Sequence, residues 1–111
     1  MPGFAARKMR VVLLRDLKGS AHAPQVAHGC FLFAREHEKK AVQWMEDTNV
    51  VVVHSAERRE LEDLIDKAKA RRIALSIFQE PDLGGAITCV VLAPCQASAR
   101  LTRDLPLAKP S

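Results

Sequence analysis

Four consecutive apolar residues, Val11 to Leu14, stand between Arg10 and Arg15. A run this short, β-branched at its start and lacking the alternation of a half-exposed strand, fits a strand covered on both faces. Such a strand needs a helical layer above and below it, which restricts the chain to an α/β architecture. The residues that follow supply the first helix. Asp16 to Ala23, with Gly19 and Ser20, reads as a loop. Pro24 suits a first helical turn, where its missing N–H costs nothing, so a helix is expected to start near Ala23. Ala27, Cys30, Phe31 and Ala34 recur at i, i+3, i+4 and i+7 as its expected buried face, with Gln25, His28, Leu32 and Arg35 beside them. A strand leading through a polar loop into a helix N-terminus makes a crevice where backbone N–H groups and the helix dipole favour an anionic group.

The remaining elements follow in order. Glu36 to Asp47 reads as a second helix or a long extension of the first, anchored by Ala41, Trp44 and Met45, and Asn49 suits a left-handed cap. Val50 to His54 is a second buried strand. Ser55 is the expected N-cap of a third helix in which Leu61, Leu64, Ile65 and Ala68 repeat at helical spacing. Ile73 to Phe78 reads as a strand, Gln79 to Gly85 as a turn, Ala86 to Ala93 as a strand and Gln96 to Asp104 as a short helix. The order β-α-α-β-α-β-β-α predicts a three-layer α/β/α domain with a four-stranded mixed, mostly parallel sheet carrying one antiparallel strand. The domain is expected over residues 9–105, between an N-terminal tail, 1–8, and a C-terminal tail, 106–111.

Composition narrows the setting. Apolar residues make up 48% of the chain and charged residues 27%, too apolar for intrinsic disorder. The three cysteines, Cys30, Cys89 and Cys95, are odd in number and widely spaced in apolar runs, the pattern of reduced thiols in an intracellular, here cytoplasmic, protein. No apolar run is long enough to span a bilayer, and the N-terminus lacks the apolar core of a secretory signal. A net charge of +4 tilts toward polyanionic partners and also lies within the ordinary range for solubility. His37 and His54 have no partner at metal-ligand spacing, and no nucleotide-binding loop is present, so no metal or cofactor is expected.

Taken together, these residues resemble the peptidyl-tRNA hydrolase 2 superfamily. The family pattern of an apolar strand, R-x-D-L, a Gly-Lys loop and A-Q-x-x-H-A is met by Arg15-Asp16-Leu17 and by Pro24-Gln25-Val26-Ala27-His28-Gly29. Trp44, the Val-rich second strand, Glu60-Leu61 with Leu64, and a last strand from Thr88 to Pro94 of the form T-x-x-x-L-x-P continue the likeness. Two departures stand out. The family places a lysine four residues before the glutamine, where this chain has Ala21 preceded by Ser20, and its loop is shorter. The family's D-A-G-x-T segment is replaced by Glu80 to Gly85, in which Asp82 has no threonine three residues on. Both features are similar to the divergent branch called peptidyl-tRNA hydrolase domain-containing proteins.

The resemblance implies hydrolysis of the ester between a peptide and the 3′ end of tRNA. That chemistry needs an activated water, donors for a developing oxyanion and cations for tRNA phosphates. Gln25 and His28, at i and i+3, are the expected pair at the site, His28 as base or orienter and Gln25 positioning water or carbonyl; a capping glutamine beside a half-buried structural histidine is the other reading. Asp82 is the expected stand-in for the family's turn aspartate and Thr88 a strand residue at the site, although turn chemistry and strand packing also account for them. Lys18 and His22 are the candidates to restore the missing cation, and Arg35, Lys39 and Lys40 those to contact tRNA. The resemblance further implies a homodimer. Two alternatives stay open: a catalytically silent RNA-binding or protein-interaction module of the same fold, and an unrelated α/β enzyme acting on an anionic metabolite.

Overall fold

A computed structural model of the protein describes residues 7–109. The expected N-terminal tail falls largely outside the described residues, as do the last two residues of the C-terminal one. Strand β1 (Met9–Leu14) is central, with Val11, Val12 and Leu13 fully buried. It is followed by α1 (Gly19–Glu36), α2 (Glu38–Glu46), β2 (Val51–Ala56), α3 (Arg58–Ala70), β3 (Leu75–Glu80), a one-turn 3-10 helix (Pro81–Leu83), β4 (Ala86–Leu92) and α4 (Gln96–Thr102). The sheet order is β2-β1-β4-β3. β1 pairs in parallel with β2, and β4 pairs antiparallel with both β1 and β3. Three strands therefore run one way and β4 runs against them, the mixed sheet expected from the sequence.

The two faces of β1 feed two cores. Val11 and Leu13 join Cys89 and Val91 of β4 under Phe33 of α1 and Ala41 of α2. Val12 and Leu14 join Val90 and Leu92 under Leu61, Leu64, Ile65 and Ala68 of α3. The side-chain alternation of a strand thus places a helical layer on each face. Cys89 is fully buried, Cys30 and Cys95 are partly exposed, and all three are free thiols. Burial and the neighbouring Cys30 push the Cys89 thiol up to about 12.

Several local expectations change. Helix α1 starts at Gly19, not near Ala23, so Pro24 lies inside it. A proline there removes the amide that would bond the Ser20 carbonyl, and Ser20 is exposed, where water can satisfy that group. The buried face of α1 is Gln25, Gly29 and Phe33, and Phe31 is 76% exposed. Gly29 sets this rotation: a Cβ built there would lie 2.5 Å from Cys89 Sγ and 2.9 Å from Val91 Cγ2, so the helix meets the sheet most closely at a residue without a side chain. Met45 is exposed, while Ala41 is buried and Trp44 partly so. Ser55 belongs to β2, and α3 is capped by Glu57 and Glu60 in a reciprocal capping box. Asn49 takes the left-handed backbone expected of it, with φ 53°.

After α4 the chain returns along β2. Ser55 N–H donates to the Pro106 carbonyl and Ala108 N–H to the Val53 carbonyl, both at 2.9 Å, with His54 and Leu107 bridged antiparallel between them.

Candidate active site

The site is assembled where α1 crosses the far ends of β3 and β4. Gln25 reaches the sheet from the second turn of α1 and is 7% exposed, with Thr88 of β4 completely buried beneath it. Its amide can be oriented by chemistry alone. A carboxylate only accepts, so the –NH₂ must face Glu80, at 2.7 Å from Nε2 to Oε2; the Thr88 hydroxyl then donates to Gln25 Oε1 at 2.6 Å. Gln25 therefore ties the start of β4 to the end of β3.

Glu80, expected within the turn Gln79 to Gly85, is the further member of the site. It closes β3, and its Oε1 accepts a long bond, 3.4 Å, from the Asp82 amide in the 3-10 turn. The Gln25 amide holds the Glu80 carboxyl below the usual carboxylate range, against partial burial, with the Asp82 amide and the charge of His28 adding to it. A Gln on a helix facing a carboxylate at the end of a strand gives no sequence-local signal, because the partners are 55 residues apart. The packing of α1 across β3 and β4 brings them together.

His28 lies one turn after Gln25. It is exposed, with its ring centroid 4.9 Å from that of Phe78, and is close enough to Glu80 to act on its ionisation. His22, Gln25 and His28 follow one another at intervals of three along α1, so their side chains form a ridge toward its N-terminus. Lys18 is the N-cap of α1 and is exposed; the first turn of the helix carries no acidic residue and no side-chain cap, and Ala21 N–H closes on the Lys18 carbonyl at 2.8 Å. Neither Lys18 nor His22 makes a side-chain hydrogen bond or ion pair among the described residues. Asp82 contributes its backbone amide to the network, and its side chain is exposed.

The structure thus brings Gln25, Thr88 and His28 together, adds Glu80, and leaves Asp82 at the rim. Arg35 lies on the last turn of α1, about 15 Å along the helix from Gln25 at 1.5 Å per residue, and Lys39 and Lys40 lie beyond it in the first turn of α2. These three basic residues lie away from the Gln25 network. Among the described residues no cluster of His, Cys, Asp and Glu is arranged to hold a metal ion, and no helix is long and apolar enough to cross a membrane.

A three-layer fold with a polar network spanning a helix and two strand ends defines a class of small α/β proteins with a surface-accessible site. Residues 7–108 match the family model for peptidyl-tRNA hydrolase PTH2, and the chain belongs to that family. Among curated proteins no relative matches the sequence. A solved structure of a protein of unknown function from Agrobacterium tumefaciens is similar in fold, with a TM-score of 0.69 and 14% identity over 92% of this chain and 97% of that one. Family membership makes this a peptidyl-tRNA hydrolase-like protein in general terms.

Proposed function

We propose that the protein is a cytoplasmic hydrolase that cleaves the ester between a peptide and the 3′ end of tRNA, with Gln25, His28, Asp82 and Thr88 at the site. The observation that carries this reading is the buried Gln25 amide, fixed between Thr88 and Glu80, beside an exposed histidine. An imidazole is the side chain suited to exchange a proton near neutral pH. In this mechanism His28 takes a proton from water as the oxygen attacks the ester carbonyl carbon. The tetrahedral intermediate then expels the ribose 3′ oxygen, which leaves with a proton returned by the imidazolium. Glu80, held ionised, stabilises that imidazolium. Gln25 and Thr88 are positioning residues, since their polar atoms are already committed to each other and to Glu80. Lys18 or His22 supplies the cationic donor for the oxyanion, Asp82 borders the site, and Arg35, Lys39 and Lys40 contact tRNA phosphates. Phe31, exposed on α1, supports pairing with a second copy of the chain.

Ala21 favours a second reading, a silent module that keeps the fold and binds RNA or a protein. Losing one preorganised oxyanion donor costs about 3 kcal/mol, or 10² to 10³ in rate. Release of N-blocked aminoacyl groups from tRNA separates the two. The hydrolase reading expects turnover that falls at least about 10²-fold in Gln25→Ala and His28→Ala. Turnover unchanged in both variants would move the chemistry elsewhere, and absence of turnover with salt-sensitive tRNA binding would leave the silent module.

A further inference from the structure

A cavity of about 800 Å³ opens at the opposite end of the sheet from Gln25, between α2, the end of α3 and the start of β3. It lies about 17 Å from Glu80 along β3, at 3.3 Å per residue. That volume is within the range of small-molecule sites. Five cations line it: Arg7, which pairs with Asp47, and four others, Lys40 from α2 and Lys69, Arg71 and Arg72 from the end of α3. All four are exposed, and none makes a side-chain hydrogen bond or ion pair among the described residues. The one carboxylate at the cavity, Asp47, is already held by Arg7 Nε at 3.1 Å.

Ordinary helix electrostatics accounts for only part of this cluster. Lys69 and Arg71 suit the C-terminus of α3 on dipole grounds. Lys40 does not, because it lies in the first turn of α2, where a cation opposes the dipole. Arg72 is more telling. It occupies the left-handed position after α3, φ 56°, with its N–H bonded to Lys69 O and the next N–H, of Ile73, to Ala68 O. This is the closing motif that favours glycine, so an arginine there places a guanidinium at the cavity at a backbone cost. Trp44 completes the lining. Its Nε1–H donates to the Val50 carbonyl at 2.8 Å, so the partly exposed indole is an aromatic wall that need not be ordered on binding.

We propose that this cavity binds a nucleoside phosphate unit, with the phosphate held by Arg71, Arg72, Lys69 and Lys40 and the base against Trp44. Unpaired guanidinium and ammonium groups beside a fixed aromatic ring are the complement of a phosphate joined to a heterocycle. The unit belongs either to an RNA strand or to a free nucleotide. The site is distinct from the Gln25 network and shares with the hydrolase reading only Lys40.

Trp44 is the single tryptophan of the chain, so its fluorescence reports this cavity. Titrations use adenosine monophosphate, a short single-stranded oligoribonucleotide and inorganic phosphate as competitor, on the full chain. Quenching by the oligonucleotide is expected, with affinity falling about tenfold or more in Arg71→Ala/Arg72→Gly and the salt slope falling by about 1.4, two contacts at about 0.7 each. Arg72→Gly alone guards against misfolding: glycine suits that backbone, so its melting temperature is expected to match or exceed the parent's while its affinity drops several-fold. Quenching by both probes identifies a free nucleotide as occupant, and quenching by the oligonucleotide alone identifies a strand. No quenching by either, or quenching unchanged in the Arg72→Gly and double variants, overturns the proposal. Gln25→Ala is expected to keep full binding here, so failure of the hydrolase reading and failure of this site are read separately.

Discussion

The Thr88 hydroxyl donates to Gln25 Oε1 at 2.6 Å across 63 residues of sequence, and both groups are buried. Gln25 has no freedom to flip its amide without setting its carbonyl against the Glu80 carboxylate. Thr88→Val keeps the side-chain shape and removes the donor, leaving Oε1 unsatisfied. The expected loss is about 1–3 kcal/mol in urea unfolding, while Thr88→Ser, which restores the hydroxyl, recovers part of it.

Glu80 makes stability depend on pH in a defined direction. Its carboxyl is held below the ordinary 4.5, first by the Gln25 amide, so the folded state binds a proton less readily than the unfolded chain. The resulting stabilisation is present above that ordinary value and is lost as pH falls through the lowered one. Unfolding free energies of the parent and Glu80→Gln measured at successive pH values should differ at neutral pH and converge on acidification. A difference that grows toward low pH would contradict the assignment.

His54 acts on the other side of the sheet, in a higher range. It is 4% exposed; Nδ1 lies 3.3 Å from the Leu105 carbonyl and must carry the proton, while Nε2 lies 3.5 Å from Arg10 Nη1. Burial pushes its ionisation down and Arg10 adds to this, with the Leu105 bond opposing. Protonation would set an imidazolium against a guanidinium. Stability from the neutral ring is therefore present above 6.5 and is lost as pH falls below it. His54→Gln should flatten the decline in melting temperature across that window.

Gly29→Ala tests how closely α1 is seated. The added Cβ meets Cys89 Sγ and Val91 Cγ2 well inside contact distance, and both belong to the core beneath the helix. Overpacking of this kind costs about 1–3 kcal/mol. Removing the sulfur in Gly29→Ala/Cys89→Ala should recover part of the loss, giving a coupling measurable by a double-mutant cycle.

The architecture was legible because β1, β2 and β4 carry unbroken apolar runs and α3 repeats its leucines at helical spacing, signals that survive without knowing the neighbours. The phase of α1 was not. Ala27, Cys30, Phe31 and Ala34 make a plausible apolar stripe, and only the contact between Gly29 and Cys89 turns Phe31 outward and Gln25 inward. Pro24 misplaced the helix start because a proline is tolerated within the helix where the freed carbonyl lies on an exposed residue. The i, i+3 spacing of Gln25 and His28 places both on one ridge of α1, while nothing local pointed to Glu80 as the partner of Gln25. Glu80 looked like turn chemistry beside Pro81, and its role depends on a packing of α1 across β3 and β4 that no local pattern specifies.

The return of residues 105–108 along β2 has a consequence for how copies of this protein can meet. An uncovered strand edge is a template for another chain, and a sheet with two such edges can extend without limit. Here the Pro106 carbonyl and the Ala108 amide take up the Ser55 N–H and the Val53 carbonyl on the outer side of β2, and β3 is the other end of the sheet. A strand from another chain that added at β2 would first have to displace residues 106–108, so β2 is the less accessible of the two ends of the sheet.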